Sequence, residues 1–359
     1  MVLINAKPLS QIAEKIFKAA GCSQEDAEYL ADHVVTANLY GHDSHGVMRI
    51  RPYVERIRKG IIKPGSTLTV VRETTSTALV NGNQDIGQVT ARKAMEIAIA
   101  KAKTSGIGIV AVFNCNHIGR VGAYPEIALR HNMIGIALVG GGANTAPYGG
   151  IDPVYGTNPL SIAIPTANSK PILLDMATST VAGGKVSLAI LNKTQIPLKY
   201  GVIDYQGHPS TDPTDLRPFY GEEATKPRGA LLPFGGYKGS ALCLIIEILG
   251  QALAGGEEVY SEIQGNGVIM MAIDITAFRP LEEFTRNTDH IIQTTKASRK
   301  AADVEEILVA GEPEFNKREK KLEKGLPIQD YTWDSIKITA EELGVDIETI
   351  LKRHNLTSS

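Results

Sequence analysis

An amphipathic helical stretch that runs straight into a long apolar strand constrains this chain more than any other feature. Gln88 to Lys103 carries apolar residues at helical spacing, and Ile107-Gly-Ile-Val-Ala-Val-Phe113 follows without polar alternation. The second run has the pattern of a buried strand. Shorter strand-like runs lie at Leu68 to Val70, Thr77 to Val80, Ile134 to Val139, Leu160 to Ile164, Ile172 to Leu174, Val202 to Tyr205 and Val268 to Ile273. Gly-, Pro- and Asn-rich turns separate them, and the alternation of strand with helix predicts an α/β class.

The flanks read differently. Ser23-Gln-Glu-Asp26 is a capping-box-like helix start, with acidic groups in the first turn, where they favour the helix dipole. Leu30, Val34 and Ala37 follow at helical spacing, and Gly41 supplies a stop. A second short helix is expected over Tyr53 to Lys59, and Pro64-Gly65 reads as a linker. Further helices are expected over Ser240 to Ala254 (largely apolar and buried), Thr285 to Ala301 and Thr339 to Arg353. The basic run Lys317 to Lys321 reads as a solvated helix face.

At 359 residues the chain has room for two domains of roughly 150 residues each. Its 37 basic and 39 acidic residues give a formal charge of -2, which disfavours a nucleic-acid partner. Cys22, Cys115 and Cys243 are too scattered for a disulfide framework or a metal site, so a reducing cytoplasm is expected. The start lacks a signal-peptide pattern, and the longest apolar run, Ala241 to Leu249, contains Glu247 and is far short of the ~20 residues of a membrane span. A cytoplasmic protein without a membrane partner is expected.

Four segments are candidates for chemistry. Gly41-His42-Asp43-Ser44-His45-Gly46-Val47-Met48-Arg49 places two histidines, a serine and an arginine on a turn. A histidine exchanges protons near neutral pH and an arginine fork suits a carboxylate, although a polar helix cap has a similar composition. Asn114 to Arg120 puts His117 just beyond an apolar strand, where it either serves a ligand or satisfies a turn. Asp175, after another strand, is either an acceptor for ribose hydroxyls or a cap. Gly235-Gly236-Tyr237-Lys238-Gly239-Ser240 opens a helix and is either an anion site or a surface turn. Gly106-Ile-Gly108-Ile-Val-Ala111 has the letters of a dinucleotide fingerprint, but it follows a helix and opens a strand, the reverse of the required order. No Walker A spacing or serine-elbow pentapeptide occurs.

Taken together, the strings Asp43-Ser-His-Gly-Val47 with Arg49, Asn116-His-Ile-Gly119, Gly156-Thr-Asn-Pro159, Leu174-Asp-Met-Ala-Thr-Ser179, Lys238-Gly239 and Gly311-Glu-Pro313 resemble the malate/L-lactate dehydrogenase family. That family also includes L-sulfolactate, ureidoglycolate and diketogulonate enzymes. Ala37-Asn38-Leu39 and Gly325-Leu326-Pro327 with Trp333 resemble its hydroxycarboxylate dehydrogenase B branch. The resemblance implies hydride transfer between NAD or NADP and a small 2-keto or 2-hydroxy acid, with CH–OH groups as donors. It implies a non-Rossmann nicotinamide-binding domain over residues 67–313. A mainly helical substrate and dimerisation domain would be formed by 1–66 with 314–359. A homodimer and no metal are also implied.

Residue by residue, the family pattern places Ser44, His45 and His117 in catalysis, with His45 favoured as the proton carrier relayed through Ser44. Arg49 and Tyr53 match substrate-side positions. Asp175, Met176, Ala177, Lys238, Gly311, Glu312 and Pro313 match cofactor segments. Tyr237-Lys-Gly-Ser-Ala241 departs from the His-Lys-Gly-Tyr-Gly of many relatives, a difference that bears on NAD against NADP. The competing class is a hydrolase that uses Ser44 and His45 as nucleophile and base on a small carboxylate substrate.

Overall fold

The computed structural model describes residues 1–216, 227–255 and 265–354. The N-terminal segment forms a short strand, β1 (Val2–Ile4), and three helices, α1 (Ala6–Ala19), α2 (Gln24–Leu39) and α3 (Ile50–Arg58). The Ser23 hydroxyl accepts from the Asp26 amide and so satisfies one of the free N–H groups that start α2.

The middle of the chain builds a seven-stranded mixed sheet. Its members, in chain order, are β2 (Thr69–Glu73), β3 (Thr77–Asn81), β4 (Ile107–Cys115), β5 (Met133–Gly140), β6 (Leu160–Ile164), β7 (Ile172–Met176) and a late strand, here β11 (Asn266–Asp274). The spatial order is β2-β3-β4-β11-β5-β6-β7. Only β3 and β4 run parallel, joined by α4 (Gly87–Ser105). Every other neighbouring pair is antiparallel. The apolar run in β4 is explained by its neighbours, because the strand lies between β3 and β11 under α4. Val110 and Val112 are buried there with Ala94, Met95 and Ala98 of the helix. The α5 helix (Pro125–Leu129) covers the same side of the sheet beside β5.

After β7 come α6 (Gly183–Leu191), the small strands β8 (Val202–Ile203), β9 (Pro209–Ser210) and β10 (Ala230–Leu231), and α7 (Tyr237–Glu247). Beyond β11 follow α8 (Leu281–Lys296), α9 (Glu312–Lys324), β12 (Leu326–Ile328), α10 (Asp330–Glu342) and α11 (Ile347–Arg353). β12 pairs with β1, which ties the two ends of the chain together. Phe17, Leu30 and Ile50 from the N-terminal helices share one core with Trp333 and Leu351.

Four expectations need correction. The apolar helix Ser240 to Ala254 is not buried all round. It runs as α7 and a π-helical extension, Ile248–Leu253, with Leu244, Ile245, Ile248 and Leu253 between 42% and 59% exposed. Cys243 and Ile246 are its inward residues. The terminal helix is two helices, because Gly344 takes a left-handed φ of 70° that breaks the run. The helix expected to reach Ala301 starts earlier and ends at Lys296. In the basic run, Lys321 is not purely solvated: its Nζ donates to the Asn38 carbonyl at 2.6 Å. Among the described residues, no helix is long and apolar enough to cross a membrane.

Candidate active site

The turn between α2 and α3 consists of two single turns of 3-10 helix, Asp43–His45 and Val47–Arg49. Asn38 in the last turn of α2 holds both. Its Oδ1 accepts from the Val47 amide at 2.8 Å and its Nδ2 donates to Asp43 Oδ1 at 2.7 Å. Gly46 is required for this approach, since a Cβ there would lie 2.0 Å from Asn38 Oδ1. From the far side, Lys321 of α9 reaches the Asn38 carbonyl and lies 3.5 Å from Asp43 Oδ1.

The clamped turn presents three candidate groups. Ser44 is buried against the start of α6, where a Cβ on Gly184 would lie 2.3 Å from the serine Cβ. Arg49 donates through Nε to the Ser44 carbonyl at 2.7 Å, and among the described residues no acceptor is recorded for its terminal nitrogens. His45 stacks on His117, with ring centroids 5.3 Å apart and planes 19° apart. Its Nδ1 is buried and has no hydrogen-bond partner among the described residues.

His117 arrives from the end of β4, in a loop fixed by Asn116. The Asn116 amide donates to the carbonyls of Gln84 at 2.8 Å and Asp85 at 3.0 Å, and its Oδ1 accepts from Arg56 at 3.1 Å. Tyr53 of α3 places its hydroxyl 2.7 Å from His117 Nδ1, and Gln88 of α4 donates to that hydroxyl at 2.8 Å. Four separate segments therefore converge: the α2–α3 turn, α3, the start of α4 and the loop after β4.

Burial sets the charge state of both rings, because a cation loses more hydration than a neutral imidazole. Desolvation, reinforced by Arg49, lowers His45 to about 3. The same two causes, with His45 itself third, hold His117 well below its ordinary value. Both rings are neutral at physiological pH, ready to accept a proton or donate a hydrogen bond.

The segments expected to hold cofactor gather along β7. Asp175 Oδ2 accepts from the Gly122 amide at 2.9 Å, and burial raises its pKa to about 6, opposed by Arg120. Arg120 pairs with Glu126 and stacks 4.2 Å from the Tyr40 ring centroid, with its buried Nη1 lacking a partner among the described residues. Met176 and Ala177 are partly buried beyond Asp175. The Phe234 amide donates to the Thr178 carbonyl at 3.0 Å, bringing the Gly235–Gly236 turn and the exposed Lys238 alongside. The Leu173 amide donates to the Ala310 carbonyl at 3.1 Å, which sets Gly311 against the same strand, with Pro313 just beyond in the first turn of α9. Glu312 is taken up locally, by Lys296 at 2.8 Å and the Val309 amide at 3.0 Å.

A dinucleotide needs amide or cationic donors for its phosphates and acceptors for its ribose hydroxyls. The uncapped starts of α6 and α7 and the exposed Lys238 supply the first kind. Asp175 supplies the second while holding Gly122. The residues present thus fit a nicotinamide dinucleotide.

No hydrogen bond joins Ser44 Oγ to His45, and among the described residues no carboxylate orients His45 Nδ1. A serine hydrolase needs both contacts, so the geometry speaks against that class. Gln88 and Asn38 escaped functional assignment from sequence. The available signals were a glutamine opening an otherwise apolar helix face, and an asparagine one turn before a glycine-bounded polar loop.

Residues 4–337 match the family model described as malate/L-lactate dehydrogenase. A malate/(S)-sulfolactate dehydrogenase of Methanothermus fervidus is 37% identical over 96% of this chain and 99% of that protein. Hydroxycarboxylate dehydrogenase B of Escherichia coli K12 is 32% identical over 96% of each. The solved sulfolactate dehydrogenase of Methanocaldococcus jannaschii superposes with a TM-score of 0.84 at 35% identity, covering 97% of this chain and 99% of that one.

Proposed function

The chain belongs to the malate/L-lactate dehydrogenase family, and from that membership and its site we propose that it transfers a hydride between NAD or NADP and a small 2-keto or 2-hydroxy acid. The observation that carries this reading is the stacked pair His45 and His117 beside the open guanidinium of Arg49. When bound, the nicotinamide supplies the hydride for reduction or takes it in oxidation.

The chain's own residues do the rest. Arg49 is held through Nε by the Ser44 carbonyl, so its terminal nitrogens are pre-oriented to take the substrate carboxylate in a two-pronged hydrogen bond. That contact orients the 2-carbon, and orientation of reactants accounts for ~7–11 kcal/mol of barrier reduction in favourable cases. His117, braced by Tyr53, polarises the substrate oxygen. His45 exchanges the hydroxyl proton, a step contributing about 10²–10⁴-fold. Ser44 serves as its neighbour and, through its carbonyl, as the anchor of Arg49. In oxidation the neutral His45 is already a base. In reduction it must take up a proton first, which an anionic substrate favours and Arg49 opposes.

Asp175, Met176, Ala177, Lys238 and Gly311 to Pro313 are read as the cofactor side, on a nucleotide-binding unit that is not of Rossmann type. The antiparallel neighbours of β7 and β11 support that reading. The helical segments 1–66 and 314–359 are read as the substrate and dimerisation unit, supported by their common core. A homodimer in the cytoplasm is part of the same proposal. The exposed apolar stripe of Leu244, Ile245 and Ile248 suits burial against a second copy.

The test is loss of reduced-nicotinamide absorbance with a panel of three- and four-carbon 2-keto acids, with NADH and NADPH assayed separately. Turnover of at least one acid is expected. No turnover with any acid and either cofactor, alongside ester cleavage without nicotinamide, would overturn the reading in favour of the hydrolase.

A further inference from the structure

A hydroxyl carries one proton, so its two hydrogen-bonding neighbours determine where that proton points. Tyr53 is 3% exposed and its hydroxyl has two such neighbours. Gln88 donates to it at 2.8 Å, and His117 Nδ1 lies 2.7 Å away. The tyrosine oxygen accepts from Gln88, and a protonated Nδ1 would leave the buried tyrosine O–H without an acceptor among the described residues, so the tyrosine proton is directed to Nδ1. That nitrogen is then the bare one of the neutral ring, and the ring proton sits on Nε2.

The position of Gln88 is built into the fold. It is 1% exposed and occupies the first turn of α4, immediately after Gly87. A Cβ on Gly87 would lie 2.3 Å from the Asn116 carbonyl oxygen and 2.5 Å from that of His117. Only glycine lets the helix begin directly beneath the His117 loop, and this close approach carries the glutamine amide to Tyr53. Burial is the first reason that His117 stays neutral; of the groups facing it, Arg49, His45, His33 and Arg56, the two guanidinium cations further oppose a positive charge on the ring.

We propose that Gln88 is a positioning residue which, through Tyr53, holds neutral His117 in the tautomer with its proton on Nε2. The reactive edge of His117 is then a hydrogen-bond donor that keeps its proton, and net proton exchange with the substrate hydroxyl falls to His45. The second consequence rests on the hydride-transfer reading. The tautomer itself does not, and can be measured without any turnover.

The test is long-range proton–nitrogen correlation on protein labelled with ¹⁵N at histidine, using His117→Asn to identify the signals. The wild-type protein should show a bare Nδ1 and a protonated Nε2. In Gln88→Glu, the introduced carboxylate once ionised accepts the tyrosine proton, so the tyrosine oxygen must accept from Nδ1 and the tautomer reverses. In Gln88→Leu, the hydroxyl loses its donor and the two nitrogen shifts move toward each other. The same two variants should lower kcat on a 2-keto acid by about tenfold or more with KM for the cofactor held. A protonated Nδ1 in the wild-type protein, or wild-type nitrogen shifts in both variants, overturns the proposal. Absence of turnover in a wild-type protein with the expected tautomer counts against hydride transfer and leaves the tautomer assignment standing.

Discussion

At the scale of single residues, the site depends on imidazoles kept neutral by burial next to a guanidinium. His45 is lowered to about 3, so it is already deprotonated across the neutral range. We therefore expect kcat/KM for 2-hydroxy-acid oxidation to stay flat from about pH 9 down through the ordinary histidine value of about 6.5, and to fall only in stronger acid. A pH–rate profile on free enzyme breaking near 6.5 would show that the base is a histidine in ordinary solvent contact. His45→Ala should lower kcat by about 10²–10⁴-fold while cofactor affinity, followed by fluorescence titration, is nearly unchanged. Arg49→Met removes a charge-assisted contact of about 1.5–3 kcal/mol, so KM for the keto acid should rise by roughly tenfold or more. An unchanged KM would place the carboxylate elsewhere.

At the scale of elements, the turn proposed to carry the chemistry is a short connection held in shape by the ends of helices. Asn38 bonds the Val47 amide and Asp43 from inside, while Lys321 of α9 closes over both. Asn38→Ala strands the buried Val47 N–H, which costs about 1–3 kcal/mol. A lower denaturant midpoint and a lower kcat are both expected. Loss of stability without loss of turnover would show that the turn keeps its shape without this clamp. Much of the element plan was legible in the sequence. The Ser23 cap, the α4–β4 succession and the strand Leu160–Ile164 follow from local chemistry. Division of the C-terminal helix and solvent exposure along α7 were not legible, because apolar composition does not reveal which face finds a partner.

At the scale of the molecule, several histidines are folded into places that reject their charged form. His33 and His45 are lowered to about 3 and His42 to about 4, against the ordinary histidine value of 6.5. Between those values the unfolded chain binds more protons, so the stability they contribute is complete above about pH 6.5 and is lost as pH falls through that window. Asp175, raised to about 6, acts oppositely and only in part offsets them. Thermal midpoints should fall between about pH 7 and about pH 4, and His33→Gln, which keeps an acceptor for the Arg120 amide, should flatten the slope. An equal slope in the variant would assign the acid limb to other groups. Assembly belongs to this scale too: Ile245→Glu places a charge on the exposed stripe and should shift a dimer toward monomer in sedimentation. Unchanged sedimentation of a dimer would move the interface to another face.

The sequence by itself determined most strands of the central sheet, several helices, the polar turn after α2 and the chemical types gathered there, because caps, periodicity and glycine stops act over a few residues. It also carried the family, since the characteristic strings keep their order along the chain. Tertiary structure alone decided that Gln88, Tyr53, His117 and His45 meet, for they come from elements up to 72 positions apart whose approach depends on packing against a shared core. It also decided the protonation of those groups. Desolvation is a property of the surroundings, and no local pattern of residues encodes the water that folding removes.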